Sequence, residues 1–267
     1  MSNNYAALRG LFRSDPVMAN RCAERLRALR AELAPMRARK SDRTLLLATW
    51  NIRDFDDNKF GWGPRLEESF FYLAEIMSCF DLIAVQEVNR DLAPLQKLIR
   101  ILGREWDYIV TDTTEGRSGN GERLAFVYNC EKVFFRKVAG EIVLPSGQLI
   151  VTEKMVETEE GQQAIETVEN QFARTPYTVA FQAGWFKFNL STVHIYYGDD
   201  SGAKLRRRID EIAGLVEFFA KRQDRENAGL EDRPELAENY ILLGDFNVVS
   251  PEHETMESLE RRNFVVP

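Results

Sequence analysis

Asp245 and Asn247 lie in Ile241-Leu242-Leu243-Gly244-Asp245-Phe246-Asn247, a stretch whose residue types and spacing suit chemistry. Three branched apolar residues predict a buried strand, and the glycine lets the backbone turn where the run ends. Residues two apart share a face of extended chain, so the carboxylate and the amide point the same way. A carboxylate beside an amide at the mouth of a rigid sheet can take a proton from water and hold that water in place. The same residues also suit an ordinary turn, because Asp and Asn favour turns. Two other apolar runs end in the same manner. Leu45-Leu46-Leu47-Ala48-Thr49-Trp50-Asn51-Ile52-Arg53 delivers Asn51, and Leu82-Ile83-Ala84-Val85-Gln86-Glu87-Val88 delivers Glu87. Each supplies one metal-capable oxygen group at a strand end.

In their order and wide spacing, the TWNIR-like strand, the Gln86-Glu87-Val88 strand and Gly244-Asp245-Phe246-Asn247 resemble the signature set of the endonuclease/exonuclease/phosphatase family, the DNase I-like phosphodiesterases. Shorter matches lie between them: Arg123 in Arg123-Leu124-Ala125-Phe126-Val127-Tyr128, Arg174 in Phe172-Ala173-Arg174-Thr175-Pro176, and His194 in Ser191-Thr192-Val193-His194. The resemblance runs over roughly residues 44 to 250. It implies an α/β fold, a DNase I-like sandwich of two packed β-sheets with outer helices. It also implies in-line hydrolysis of a phosphodiester without a covalent intermediate. Glu87 and Asn51 are then the metal residues, and Mg2+ (or Mn2+) is the expected ion, because Mg2+ binds through one or two protein oxygens and keeps several waters. Asp245 is expected to activate water and Asn247 to fix its geometry. His194 is the third catalytic residue, donating with Arg123 to phosphate oxygens as negative charge builds, and Arg174 is a further phosphate contact.

An endonuclease acting on DNA is the first expectation. A lipid or small-molecule phosphodiesterase or phosphatase of the same fold is the alternative, as is a DNase I-like module that binds without turnover. Val248-Val249-Ser250 after Asn247 departs from the GDLNYR-like sequence of inositol-polyphosphate 5-phosphatases. A second departure concerns the end of the chain. Family members usually continue to a Ser-Asp-His-like element, and here the sequence reaches Pro267 without one, so the sandwich is expected to lack its C-terminal strands. His253 has no counterpart in the set and reads as surface.

The elements that must position these residues can be read from periodicity. Residues 65–80 predict a helix with Leu66, Phe70, Leu73 and Met77 inward, leading into the Glu87 strand. A second helix is predicted over 92–102 and a strand over 106–111. The Gly-rich Glu115–Gly121 segment predicts a hairpin connection. Residues 141–171 predict an extra hairpin, with Glu141-Ile142-Val143-Leu144 turning at Pro145-Ser146-Gly147 to a return strand at Leu149-Ile150-Val151. The glutamates that follow, from Glu153 to Glu169, would repel a phosphate backbone and belong away from the substrate. A long strand is predicted from Phe181 to Tyr197, then an amphipathic helix over 204–223 with Leu205, Ile209, Ile212, Val216 and Phe219 inward.

Residues 1–43 form a basic helical arm ahead of a domain spanning 44–267. The arm has ten Lys or Arg against four acids, a net of +6; with −7 for the whole chain, the remainder carries −13. Asp15-Pro16 is a helix start, Met18, Cys22, Leu26, Leu29, Leu33 and Met36 make an apolar stripe, and Pro35 ends or kinks the helix. The favoured expectation is a helix docked on the core with its arginines in solvent. A phosphate-contacting arm or a dimerising coil are the others, and an open sheet edge is a second route to self-association. The three scattered cysteines suggest buried thiols in a reducing compartment. Without a membrane span or secretory signal in the sequence, the expected location is the cytoplasm.

Overall fold

The strand-end runs do form strands, and charged positions on the helices decide much of what surrounds them. The computed structural model describes residues 3–56, 61, 63–113, 121–157, 163–230, 232–233 and 237–266, with the backbone alone for 152–157, 163–169 and 263. In chain order the elements are α1 (Ala6–Ser14), α2 (Pro16–Arg37), β1 (Leu47–Phe55), α3 (Glu67–Met77), β2 (Leu82–Val88), α4 (Ala93–Leu102), β3 (Trp106–Val110), β4 (Arg123–Asn129) and β5 (Phe134–Glu141). There follow β6 (Ile150–Glu157), β7 (Gln163–Asn170), β8 (Tyr177–Ala183), β9 (Phe186–His194), α5 (Gly202–Asn227), β10 (Tyr240–Asp245) and α6 (Glu254–Glu260). Most of the predicted Glu115–Gly121 connection, and the acidic side chains from Glu153 to Glu169, lie outside the described residues and side chains.

The chain divides into two units. The first comprises Met1–Thr113, Gly121–Arg136 and Phe181–Phe186. Its sheet has the order β1-β2-β4-β3, with β1 and β2 parallel and β4 antiparallel to both β2 and β3. β2 is apolar almost throughout because it is flanked by strands on both sides; only Glu87 along it is more than slightly exposed. Phe70, Phe71 and Met77 of α3 and Leu95 and Leu98 of α4 pack with Ile83, Val85, Ala125 and Val127 of the sheet. Leu66, expected on the inward stripe of α3, is instead exposed at its N-cap.

The N-terminal stretch belongs to this unit. Asp15 accepts from the Met18 N–H and Pro16 opens α2, as the cap chemistry requires. Cys22 and Leu26 are buried in the same core as α3, and Pro35 lies within the last turns of the helix. Arginines in solvent were expected here, and Arg21, Arg25, Arg30 and Arg37 do stay partly exposed, but each also finds a carboxylate. Arg21 and Arg25 reach the buried Glu68 at 3.0 and 3.3 Å, Arg30 reaches the fully buried Glu75 at 2.8 Å, and Arg37 also binds Glu75. Two buried carboxylates on α3 need cations, and α2 supplies them. α1 was not foreseen.

The second unit holds Lys137–Ala180 and Lys187–Pro267. The second four-stranded sheet, order β10-β9-β8-β5, is drawn mainly from it, with β10 parallel to β9. β10 is an edge strand and only half-buried along its length, not the buried strand its composition predicts. One long strand from Phe181 to Tyr197 is also corrected. Gly184, at φ +57°, makes a turn between β8 and β9, a conformation that glycine adopts without steric cost. The extra hairpin exists but pairs differently. β6 joins β7 in antiparallel register from Ile150 opposite Asn170, whereas the Leu144 N–H and carbonyl are both bonded by the Gln171 side chain. That capture, with a 3₁₀ turn at Ser146–Gln148, keeps 142–144 out of the hairpin. The core here gathers Val193, Ile195, Ile212, Leu215, Val216, Phe219 and Leu259.

Cys22 and Cys79 are buried, and burial pushes both thiols up; Cys130 is exposed, contrary to the expectation of three buried thiols. Among the described residues, no helix is long and apolar enough to cross a membrane.

Candidate active site

In the first unit, Asn51 and Glu87 are brought together. β1 and β2 run side by side, and both depart from regular pairing near their ends, between Asn51 and Phe55 in one register and between Val85 and Val88 in the other. Glu87 sits at φ +61°, a left-handed conformation that costs a non-glycine residue free energy. There its carboxylate accepts from two directions. The Asn51 amide donates to Oε1 at 2.8 Å and the Asp54 backbone N–H donates to Oε2 at 2.9 Å. Asp54, also left-handed at φ +50°, accepts in turn from the Asn89 amide at 3.0 Å. Asp54 and Asn89 were missed by sequence reasoning; the one available signal was that Asp54 follows the Asn51 strand within three residues.

The groups here that could ligate a metal, the carboxylates of Glu87 and Asp54 and the amide carbonyl of Asn51, all offer oxygen. A carboxylate fixed by two N–H groups and flanked by an amide suits a hard divalent cation that keeps part of its water shell. Among the described residues, no group of three or more His, Cys, Asp and Glu forms a closed metal cage. Arg123 faces Val88 across the β2–β4 pair, one residue along from Glu87, so it lies at the same end of the sheet. Its guanidinium is given to the Thr111 carbonyl at 2.7 Å and to the exposed Asp112 at 3.2 Å.

In the second unit, His194, Asp245 and Asn247 are brought together. β9 and β10 are parallel and in register, with His194 opposite Asp245. His194 Nε2 lies 3.9 Å from Asp245 Oδ2, within reach of an ion pair when the ring is protonated and beyond direct hydrogen bonding. His194 is nearly buried, and Asp245 is about a quarter exposed, at 28 %. The close strand approach explains Gly244 better than a turn does. A Cβ there would lie 2.3 Å from the Val193 carbonyl oxygen and 2.7 Å from its nitrogen. The turn itself comes later, at Asn247 with φ +50°.

Asn247 works on its neighbours. Its N–H donates to Asp245 Oδ1 at 3.0 Å, and its side-chain amide donates to the Ile195 carbonyl at 2.7 Å. The Ile195 N–H donates to the Asp245 carbonyl at 2.8 Å. Asn247 thus ties the end of β10 to the end of β9. Arg174 donates to the His194 carbonyl at 3.4 Å. His253, read as surface, caps α6: its Nδ1 accepts from the Thr255 N–H at 3.1 Å.

Behind this group stands α5. Arg208, 1 % exposed, and Glu211, also 1 % exposed, both point into the unit. Burial pushes the Glu211 carboxyl up to about 7, against the Ala173 N–H, Arg207 and Arg174, which favour its charge. In sequence, Arg206, Arg207 and Arg208 form one charged cluster at the start of the helix. The overlooked signal is spacing: Arg208 falls between Leu205 and Ile212, on the apolar stripe.

No family model matches the chain, and no curated protein matches it in sequence. Solved structures do match. A functionally unknown conserved protein from Enterococcus faecalis V583 aligns at 15 % identity over 81 % of this chain and 72 % of its own, with a TM-score of 0.52. The human Nocturnin catalytic domain aligns at 13 % identity over 82 % and 69 %, with a TM-score of 0.49. An endonuclease/exonuclease/phosphatase protein from Bacteroides vulgatus aligns at 14 % identity over 83 % and 71 %, with a TM-score of 0.48. Likeness at such identity speaks to fold and not to activity. Two mixed four-stranded sheets with flanking helices, in this strand order, give the chain the α/β DNase I-like fold.

Proposed function

We propose that this chain is a divalent-metal-dependent phosphodiester hydrolase, with DNA cleaved internally as its first substrate. The observation that carries the reading is Glu87: a strand-end carboxylate in a costly backbone conformation, with both oxygens held by N–H donors. Glu87 and Asn51 would hold Mg2+ or Mn2+. When bound, such an ion withdraws charge from the scissile phosphate and its leaving oxygen.

The rest falls to the chain's own side chains. Asp245 takes the proton of the attacking water. An oxygen about 2.8 Å from both Asp245 and His194 would see them at roughly a right angle, which suits a water that donates to the carboxylate and accepts from the ring. His194 donates to a non-bridging phosphate oxygen as charge develops. Asn247 keeps the carboxylate turned by bonding one of its oxygens. Arg174 and Arg123, each beside a strand end, serve the phosphate backbone of an extended substrate.

A turnover screen with Mg2+ and with Mn2+ over DNA, RNA, phosphoinositide and sphingomyelin tests this reading. Metal-dependent release from DNA above the other three is expected. Asp245→Asn should lower kcat by at least about a hundredfold while affinity holds or rises, since a negative charge facing phosphate has gone. Preferred turnover of a lipid would move the substrate to the alternative class. Binding without turnover of any of the four would leave a binding module.

A further inference from the structure

A buried arginine on an apolar helix stripe is costly to desolvate, and a leucine at 208 would continue the stripe of Leu205 and Ile212 without that cost. What a leucine could not do is bind carbonyls. Arg208 Nη1 donates to the Asn247 carbonyl at 2.9 Å. Its Nε donates to the Tyr197 carbonyl at 2.8 Å. Its Nη2 reaches the same Tyr197 oxygen, the Asp199 carbonyl at 2.6 Å and Asp200 Oδ1 at 3.3 Å. One planar fork therefore grips two separate segments. The first leaves β9 three residues after His194; the second is the turn two residues after Asp245.

We propose that Arg208 is a positioning residue for the Asp245–His194 pair, an inference that rests on the hydrolytic reading above. The chain of bonds is short. Arg208 holds the Asn247 carbonyl, and Asn247 holds both an Asp245 carboxylate oxygen and the Ile195 carbonyl. With Tyr197 and Asp199 fixed by the same guanidinium, the segments that follow β9 and β10 cannot slide past each other. The 3.9 Å separation of ring and carboxylate is set by that clamp. Because Arg208 is buried, it acts through these backbones and does not touch substrate. A lysine cannot replace it, because one ammonium cannot span the Tyr197, Asp199 and Asn247 oxygens in the plane of a fork.

Arg208→Lys and Arg208→Ala, compared with the unaltered chain, test the proposal by two readouts. Amide exchange at Ile195 and Asn247 should quicken by at least about tenfold in both variants, while Leu215 of α5 and Val85 of β2 exchange as before. On whichever phosphodiester the unaltered chain turns over, kcat should fall by up to about a hundredfold with KM unchanged, as for a misplaced reacting group. Millimolar guanidinium ion should restore part of the Arg208→Ala rate by occupying the vacated fork site. If Arg208→Ala does not fold, Arg208→Lys carries the test. Exchange that stays slow at Ile195 and Asn247, or that quickens equally across the core, would overturn the proposal, as would an unchanged kcat. Should the unaltered chain hydrolyse nothing, the hydrolytic reading falls, and the exchange result still decides whether Arg208 holds the turn.

Discussion

Among single residues, Glu211 gives the fold a pH dependence whose direction can be worked out. Its carboxyl ionises near 4.5 in an ordinary setting and only at about 7 in the folded chain. Between those values the folded state binds the extra proton, so stability falls as pH rises through the window and levels off above it. The whole effect is on the order of 3 kcal/mol. Glu211→Gln keeps an acceptor for the Ala173 N–H and cannot ionise. Urea midpoints measured at about pH 5 and about pH 8 should therefore differ less in the variant than in the unaltered chain, with the gain at the higher pH. A parallel offset at both values would show that the carboxyl's titration is not linked to folding. Gly244 is the other position where one atom decides. Gly244→Ala should destabilise the second unit by about 1–3 kcal/mol, the cost of overpacking, since the new methyl meets Val193 backbone that cannot move without breaking the β9–β10 pair. A midpoint unchanged by this substitution would show that the strands can separate freely.

At the level of elements, α2 is held by charge as well as by apolar contact. Arg21, Arg25, Arg30 and Arg37 are taken up by Glu68 and Glu75, so they are not spare cations for a phosphate backbone. Leu26 and Cys22 are buried in the core that α3 also lines. Removing residues 1–40 should then lower stability by several kcal/mol, since burying one leucine alone contributes about 1.5–3 kcal/mol. The salt dependence of DNA binding should keep its slope, whereas an arm in contact with phosphates would lose about 0.9 log units per contact. Full stability with a flatter slope in the truncated chain would restore the phosphate-arm reading. The docked position of this helix was legible from its stripe. The acids that receive its arginines were not, because Glu68 and Glu75 lie three or four residues from apolar neighbours and read equally well as a solvated edge.

For the whole molecule, a cation that binds only the folded chain must raise its stability by mass action. At ten times its dissociation constant the gain is about 1.4 kcal/mol, which corresponds to a rise of roughly 3–5 °C in a chain of this size class. Mg2+ or Mn2+ should produce such a rise in the unaltered chain, and Glu87→Gln should abolish most of it. A shift that survives Glu87→Gln would place the ion elsewhere. The −7 net charge does not substitute for this measurement, because diffuse surface charge acts weakly at physiological salt.

From the sequence alone came β1, β2, β3 and β10, the helices α2 to α5 and the oxygen-bearing residues at the strand ends. Apolar runs that stop at Asn51, Glu87 and Asp245 encode a local pattern, and local patterns survive in one dimension. Tertiary structure alone decided the rest. Gly244 became a point of close strand approach, Gly184 split one predicted strand into two, and Gln171 drew 142–144 away from the hairpin. It also buried the charged residues Arg208, Glu211, Glu68 and Glu75. The reason is physical. A charged side chain on a helix is cheap in water and costly inside unless partners meet it. Those partners come from residues tens of positions away, as Asn247 does for Arg208, and only the packed chain brings them within reach.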